Sequence, residues 1–339
     1  MMHRYPRIRP VGVPPGAGAC GEELLAREVV RLAFYLPYDH PDIASGVSLA
    51  LDSYMRAVGE GSATIHEAFV DDDEGAPLSP ERWQSIRQRL RPERHWRFAD
   101  DYSESYANRV EKRRYETQLF LEGGSARNGY SFRYRARIPW REPASNKVSL
   151  LTATVPTEFL ETHGPAHVAG LARTMASQLR FATGHAGLAL QLYWPLRSTD
   201  AALRAAAFRY PGIDLRPAWL WEEDVGLHVD GVHWLNFFAP SVLGTPGGAR
   251  GLRERLRSES IRVETLDGDR VLVTLGEWPE SGDLERGLTL PAYRELALVL
   301  RPLLEPLERS SPNTWMAAGN SLMGFTEEEA LRWWLRFLD

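Results

Sequence analysis

YSFRYRARI (130–138) and, after a short polar gap, KVSLLTATV (147–155) are the stretches that decide the fold class. In the first, Tyr130, Phe132, Tyr134, Ala136 and Ile138 alternate with polar or charged residues, the period of two that a half-buried strand requires. The second reads as its neighbour. Pro156 closes it, a helix-like stretch follows over 164–181, and HAGLALQLYW (185–194) reads as a further strand. The middle of the chain is therefore β-β-α-β.

Outward from this centre the mixture continues. Upstream, REVVRLAFYL (27–36) reads as a strand with Val30, Leu32 and Phe34 on one face, and the PYDHPD stretch stops it. A helix is expected over 48–58, with Leu49, Tyr54 and Val58 sharing a side. Another is expected over 79–90, where Ser79 can cap and Pro80 suits the first turn. Downstream, residues 200–208 and 246–258 read as helices, and VGLHVDGVHWLNFFA (225–239) holds strand material on either side of Gly231. IRVETLDGDRVLVTLG (261–276) is a hairpin whose Asp267-Gly268 pair suits a tight primed turn. PAYRELALVLRPLLEPL (291–307) is an amphipathic helix with a kink expected at Pro302, and FTEEEALRWWLRFLD (325–339) opens on a Thr326/Glu329 capping box.

Strands and helices mix without a regular βαβ period, and the hairpins argue against an all-parallel sheet. The expected class is α+β, with mixed, largely antiparallel sheets, packed helices and two related lobes. The chain divides into an irregular N-terminal segment (1–21), an N-terminal lobe (22–125), a central and C-terminal lobe (126–310) and a C-terminal linker and helix (311–339). Its 339 residues allow one large or two moderate domains.

Composition narrows the function. A net charge of -5 does not suit a protein tracking along a nucleic-acid backbone, so direct nucleic-acid binding is not expected. Residues 82–114 are the most basic and carry Trp83, Trp96, Tyr102 and Tyr106, but acids are interspersed throughout. Cys20 is the one cysteine, which excludes an intrachain disulfide and leaves no thiolate metal cage. The opening MMHRYPRIRP lacks the apolar core of a secretory signal, and no run reaches membrane-spanning length. A cytoplasmic protein without a membrane partner is expected.

Familiar chemistry is not evident. His163 and His167 have ligand-like spacing beside Glu161, but Gly164-Pro165 intervenes and places His163 before the helix. His228, His233 and Asp224 form a second candidate set. On one continuous strand the two histidines face opposite ways, and only a bulge at Gly231 would bring them together. GTPGG (244–248) lacks the lysine and hydroxyl of a phosphate loop, and no G-x-S-x-G elbow is present. No catalytic, cofactor or metal residue is assigned.

The last third carries a resemblance. WLNFFAPSVLG (234–244), the glycine pair at 247–248, RVLVTLGEWPESGD (270–283) and LPAYRELALVLRPLLEP (290–306) resemble a bacterial family long described only as a domain of unknown function. That family is now associated with type VI secretion immunity proteins, the TsiV-like group. VRLAFYL (30–36) and LTATVPTEFLETHGP (151–165) are also similar to it, so the likeness runs over roughly residues 25–308. The resemblance implies a non-enzymatic cytoplasmic protein that binds and neutralises a cognate toxin, often a nuclease, by covering or distorting its active site. It transfers no catalytic residues. Chemistry alone nominates Asp71, Asp72, Asp73 and Glu74, and Glu222, Glu223 and Asp224, as contacts for a basic partner. Trp219 and Trp221 are the candidate aromatic anchors beside the second group. An enzyme of hydrolase type with a His/Asp site, and a general interaction module, are the alternatives. The enzyme reading needs a pocket where a histidine and a carboxylate converge.

Overall fold

The computed structural model describes residues 4–12, 22–71, 73–93, 108, 110, 112, 115–124, 127–139, 147–193, 201–216, 225–244, 248–305 and 325–338. Two short strands, β1 (Val11–Gly12) and β2 (Glu23–Leu24), pair near the N-terminus. The third, β3 (Ala26–Leu36), is eleven residues long and buried on both faces. One face is the predicted stripe of Val30, Leu32, Phe34 and Leu36, which joins the main core. The other carries Arg27, Arg31, Ala33 and Tyr35, also buried because chain segments cover it.

The first helix, α1 (His40–Val58), begins inside the PYDHPD stretch read as a breaker, because Pro41 sits in the first turn, where its missing N–H costs nothing. Its buried face is Ile43, Val47, Leu51 and Tyr54, and Leu49 points outward. Next come β4 (Glu67–Val70), β5 (Ala76–Pro77) and α2 (Pro80–Arg89), the last capped by Ser79, which accepts from the Arg82 amide at 3.1 Å. The deciding stretches are β7 (Ser131–Arg135) and β8 (Ser149–Pro156), preceded by β6 (Gln118–Glu122). The helix expected over 164–181 is found as α4 (Pro165–Gln178), and a further short helix, α3 (Thr157–His163), precedes it, separated by Gly164, whose φ is +82°. The chain then forms β9 (Thr183–Leu192), α5 (Ala201–Arg209), β10 (Leu235–Phe238), α6 (Pro240–Leu243) and α7 (Gly248–Arg255). β11 (Ile261–Thr265) and β12 (Val271–Leu275) form the hairpin. Its loop is three residues, with Gly268 and Asp269 both left-handed, rather than a two-residue primed turn. α8 (Pro291–Leu300) tightens to a 3₁₀ turn at Arg301–Leu303, where Pro302 falls, and α9 (Glu327–Trp334) carries the Thr326/Glu329 capping box.

Ten strands form one antiparallel sheet in the order β11-β12-β10-β9-β3-β8-β7-β6-β4-β5. The chain is α+β, and β3 hydrogen-bonds on both sides to strands from the 126–310 span. α1 packs on α4, and both cover one face of the sheet beside β7, β8 and β9. Gly184 belongs to that face: a Cβ there would lie 2.5 Å from the Phe34 ring, which packs at a tilt against Phe181 and Phe237. The opposite face of β3 and β9 receives residues 213–216 and 225–233, and it is there that the polar chemistry collects.

Candidate functional site

Pairing fixes who meets on that second face. Ala33 lies opposite His185, and Arg31 opposite Gly187, so Arg31, Tyr35 and His185 project to the same side. Asp214 arrives through a bridge to Ala189, and Arg216 follows two residues later. Gly187 leaves room for His233 above β9: a Cβ there would sit 3.2 Å from the His233 Cβ. Gly231 gives the same room to Arg216, whose Nη2 would be 2.9 Å from an added Cβ.

The result is a buried charge cluster. The His185 and His233 rings stack 3.6 Å apart and 8° from parallel. Asp230 lies 3.3 Å from His185 Nδ1 and accepts from the Tyr35 hydroxyl at 2.8 Å. Arg216 clasps Asp214 through Nε and Nη2, each at 3.0 Å, and donates Nη2 to His233 Nε2 at 3.4 Å. Arg31 donates to the backbone carbonyls of Arg216 and Leu190, both at 2.7 Å, and stands 3.7 Å from Asp214.

Electrostatics follow from this packing. Burial would raise both aspartate pKa values. For Asp230, His185 and Arg216 outweigh it, and for Asp214, Arg216 and Arg31 do, so both stay well below the carboxylate range. Burial, and then Asp230, push the Tyr35 hydroxyl well up, so it remains a donor. Burial and the adjacent His185 lower His233 to about 4, leaving it a neutral acceptor for Arg216.

His185, Asp214, Asp230 and His233 bring one ligand atom each within 4.8 Å of one another, a spacing that a metal ion can use. The guanidinium decides against that use. Arg216 Nη2 already touches Asp214, Asp230 and His233, at 3.0, 3.5 and 3.4 Å. Two arginines balance two aspartates, so an added dication would bring uncompensated buried charge. Among the described residues the cluster borders a cavity of about 40 Å³ between Asp230, Arg216, Trp334 and Arg336. That is room for water rather than for substrate. The arrangement is chemically suited to locking segments 213–216 and 225–233 onto the sheet.

His233 is thus the one member of the His228, His233 and Asp224 set found in the cluster. No continuous strand carries both histidines. His228 is half-buried and bonded through its carbonyl to Thr183, and Asp224 lies outside the described residues. The partners Arg31, Tyr35, His185, Asp214, Arg216 and Asp230 escaped the sequence reading. Their one signal is charge placed inside apolar runs such as VRLAFYL. His163 precedes the helix that carries His167, as expected, and itself ends the short α3, stacking on Phe159 with its Nδ1 at that residue's carbonyl.

The nominated acids separate. Asp71 accepts from Thr117 and the Gln118 amide at 2.8 and 2.9 Å and is ion-paired with Arg89. Asp73 accepts from the Val70 and Gly75 amides and both Arg82 Nη groups; against some desolvation, these hold its carboxyl below the usual range. Glu74 is exposed. Asp72, Trp219, Trp221, Glu222, Glu223 and Asp224 lie outside the described residues, as do Cys20, Trp96, Tyr102 and Tyr106.

Sequence comparison now places the chain. The model of the family TsiV, described as type VI immunity for VRR-NUC, matches residues 49–337. The chain belongs to the TsiV family. The match begins within α1 and reaches past α9, further toward the C-terminus than the resemblance read from the sequence. Among solved structures, the Pseudomonas aeruginosa T6SS protein PA0821 is similar at 20% identity and a TM-score of 0.66, covering 88% of this chain and 79% of that one. At that identity the likeness concerns the TsiV chain's fold. No curated protein matches. Among the described residues, no helix of the TsiV chain is long and apolar enough to cross a membrane.

Proposed function

We propose that this TsiV-family chain binds a cognate type VI secretion toxin, a nuclease of the VRR-NUC kind that the family description names, and neutralises it by covering it, without catalysis. The family match over 49–337 carries this reading. The buried cluster supports it indirectly, since Asp214, Asp230 and His233 are engaged with Arg216, Arg31 or Tyr35, and His185 is stacked on His233. A nuclease acts where its nucleic acid is, so the pair would meet in the cytoplasm. Glu74, Asp71–Asp73 and the 219–224 segment are carried as peripheral contacts for a basic rim.

The test is a titration. The product of the neighbouring gene is co-expressed with this chain, then purified and assayed for DNA cleavage against increasing amounts of it. Occlusion predicts restored growth and a break in residual activity at one equivalent. Inactivation that continues with time at a tenth of an equivalent would show an enzyme instead. Absence of binding together with absence of protection sinks the reading altogether.

A further inference from the structure

At the end of the molecule formed by α5, the turn over 283–289 and α9 lies a cleft of about 550 Å³. Its floor is apolar: Phe208, Pro211, Leu290, Trp333 and Phe337. Leu284 also lines it while remaining 48% exposed, and Leu331, on α9, is 40% exposed. An apolar concavity left open to water at this scale marks an interaction site more often than an accident of packing.

Its charge is one-sided. Arg294, Arg332 and Arg336 line the cleft, and none of its described lining residues is acidic. Three carboxylates nearby are already committed: Glu329 pairs with Arg204, and Asp283 and Glu285 pair with Arg209. Arg332 lies 4.1 Å over the Phe208 ring and Arg336 3.8 Å over Trp333. Arg336 donates Nε to the Pro211 carbonyl at 2.8 Å and Nη1 to the Trp333 carbonyl at 3.0 Å, leaving Nη2 without a described acceptor. Burial lowers Arg336 to about 9, so an anion placed beside it would recover part of its lost hydration energy. Cations laid flat on aromatic rings are preorganised to grip a carboxylate beside an apolar anchor.

We propose that this cleft is the seat for a segment of the toxin that presents an apolar or aromatic side chain flanked by carboxylates. The anchor would fill the space over Trp333 and Phe337, and the carboxylates would meet Arg294, Arg332 and Arg336. The proposal rests on the immunity reading and gives it a face. It differs from the acidic contacts above in requiring a locally acidic surface on the partner.

The experiment compares toxin binding by the wild-type chain, an Arg294→Glu/Arg332→Glu variant, and a remote control, Arg250→Glu, on exposed α7. Both arginines of the double variant are exposed on helices and form no described ion pair, and Arg332 gives up only its place over Phe208, so the thermal midpoint is expected to fall by less than about 5 °C. The dissociation constant should rise about 100-fold for the double variant and less than about twofold for the control. Leu284→Glu should weaken binding in the same direction. If the double variant, still folded, binds like the wild type, the cleft is not the seat, although the immunity reading stands. If the wild type itself fails to bind, the immunity reading fails. If light scattering shows a dimer that the double variant abolishes, the occupant is a second copy of this chain and the proposal is overturned.

Discussion

His233 shows how much one imidazole can reveal. Its folded-state pKa of about 4 lies below the ordinary 6.5, so between these values the unfolded chain holds a proton that the folded chain does not. This group's contribution is complete above pH 6.5 and is lost as pH falls through about 4. Near 1.4 kcal/mol per pH unit, its share of the loss between pH 6.5 and 5 is about 2 kcal/mol. Urea unfolding at pH 7 and pH 5 checks this. His233→Gln should be less stable than wild type at pH 7, yet should lose less on going to pH 5. Equal losses in the two proteins would remove His233 as the titrating group. The sequence exposed this residue but not its company. Its partners come from positions 31, 35, 185, 214, 216 and 230, joined by strand register and by the room at Gly187 and Gly231. Local periodicity contains neither.

Elements were more legible than contacts. The alternation of β7, the Ser79 cap, the Thr326 capping box and the tightening at Pro302 are local physics, and each is where the residues imply. What escaped depended on context: PYDHPD stops the strand as expected, but the helix expected from 48 already begins at His40, with Pro41 in its first turn, and β3 is buried on its charged face as well. One cross-strand pair is informative. Glu67 sits directly opposite Glu122 across β4 and β6. Burial, and then Glu67, push the Glu122 carboxyl up to about 7, with Arg133 and Arg127 only partly opposing the shift. The sign is opposite to that of His233. The folded state holds this proton more tightly, so the contribution is greatest below pH 4.5 and is lost as pH rises through 7. Glu122→Gln should therefore stabilise by about 2 kcal/mol at pH 8, allowing for its partial exposure, and by nothing measurable at pH 4.5. Calorimetry at the two pH values decides, and no gain at pH 8 would mean that the pair is solvated rather than strained.

For the molecule as a whole, strand order was the least readable property, since β3 is central only because β8 and β9 return to it from more than a hundred residues away. The same long range governs residues 4–12 of the N-terminal segment, which are irregular up to β1 and strapped to the body. Glu28, 1% exposed, accepts from the Ile8 amide at 3.0 Å, from Arg9 Nη2 at 2.6 Å and from Arg7 Nη1 at 3.3 Å. Arg7 also reaches Glu161, and Arg9 reaches Glu158, while Tyr5 and Ile8 are buried in the main core. Deleting residues 1–10 removes the apolar contacts and both guanidiniums, leaving a carboxylate in a site built for a clasped ion. A buried charge stripped of its partners costs about 3–5 kcal/mol. The effect of Glu28→Gln should consequently reverse with context. In the full chain it breaks the clamp and lowers stability, whereas in the deleted chain it removes an orphaned charge and raises stability. A four-protein denaturation cycle measures both effects. If Glu28→Gln is equally costly with and without residues 1–10, the strap is held by apolar burial alone and the arginine clamp contributes nothing.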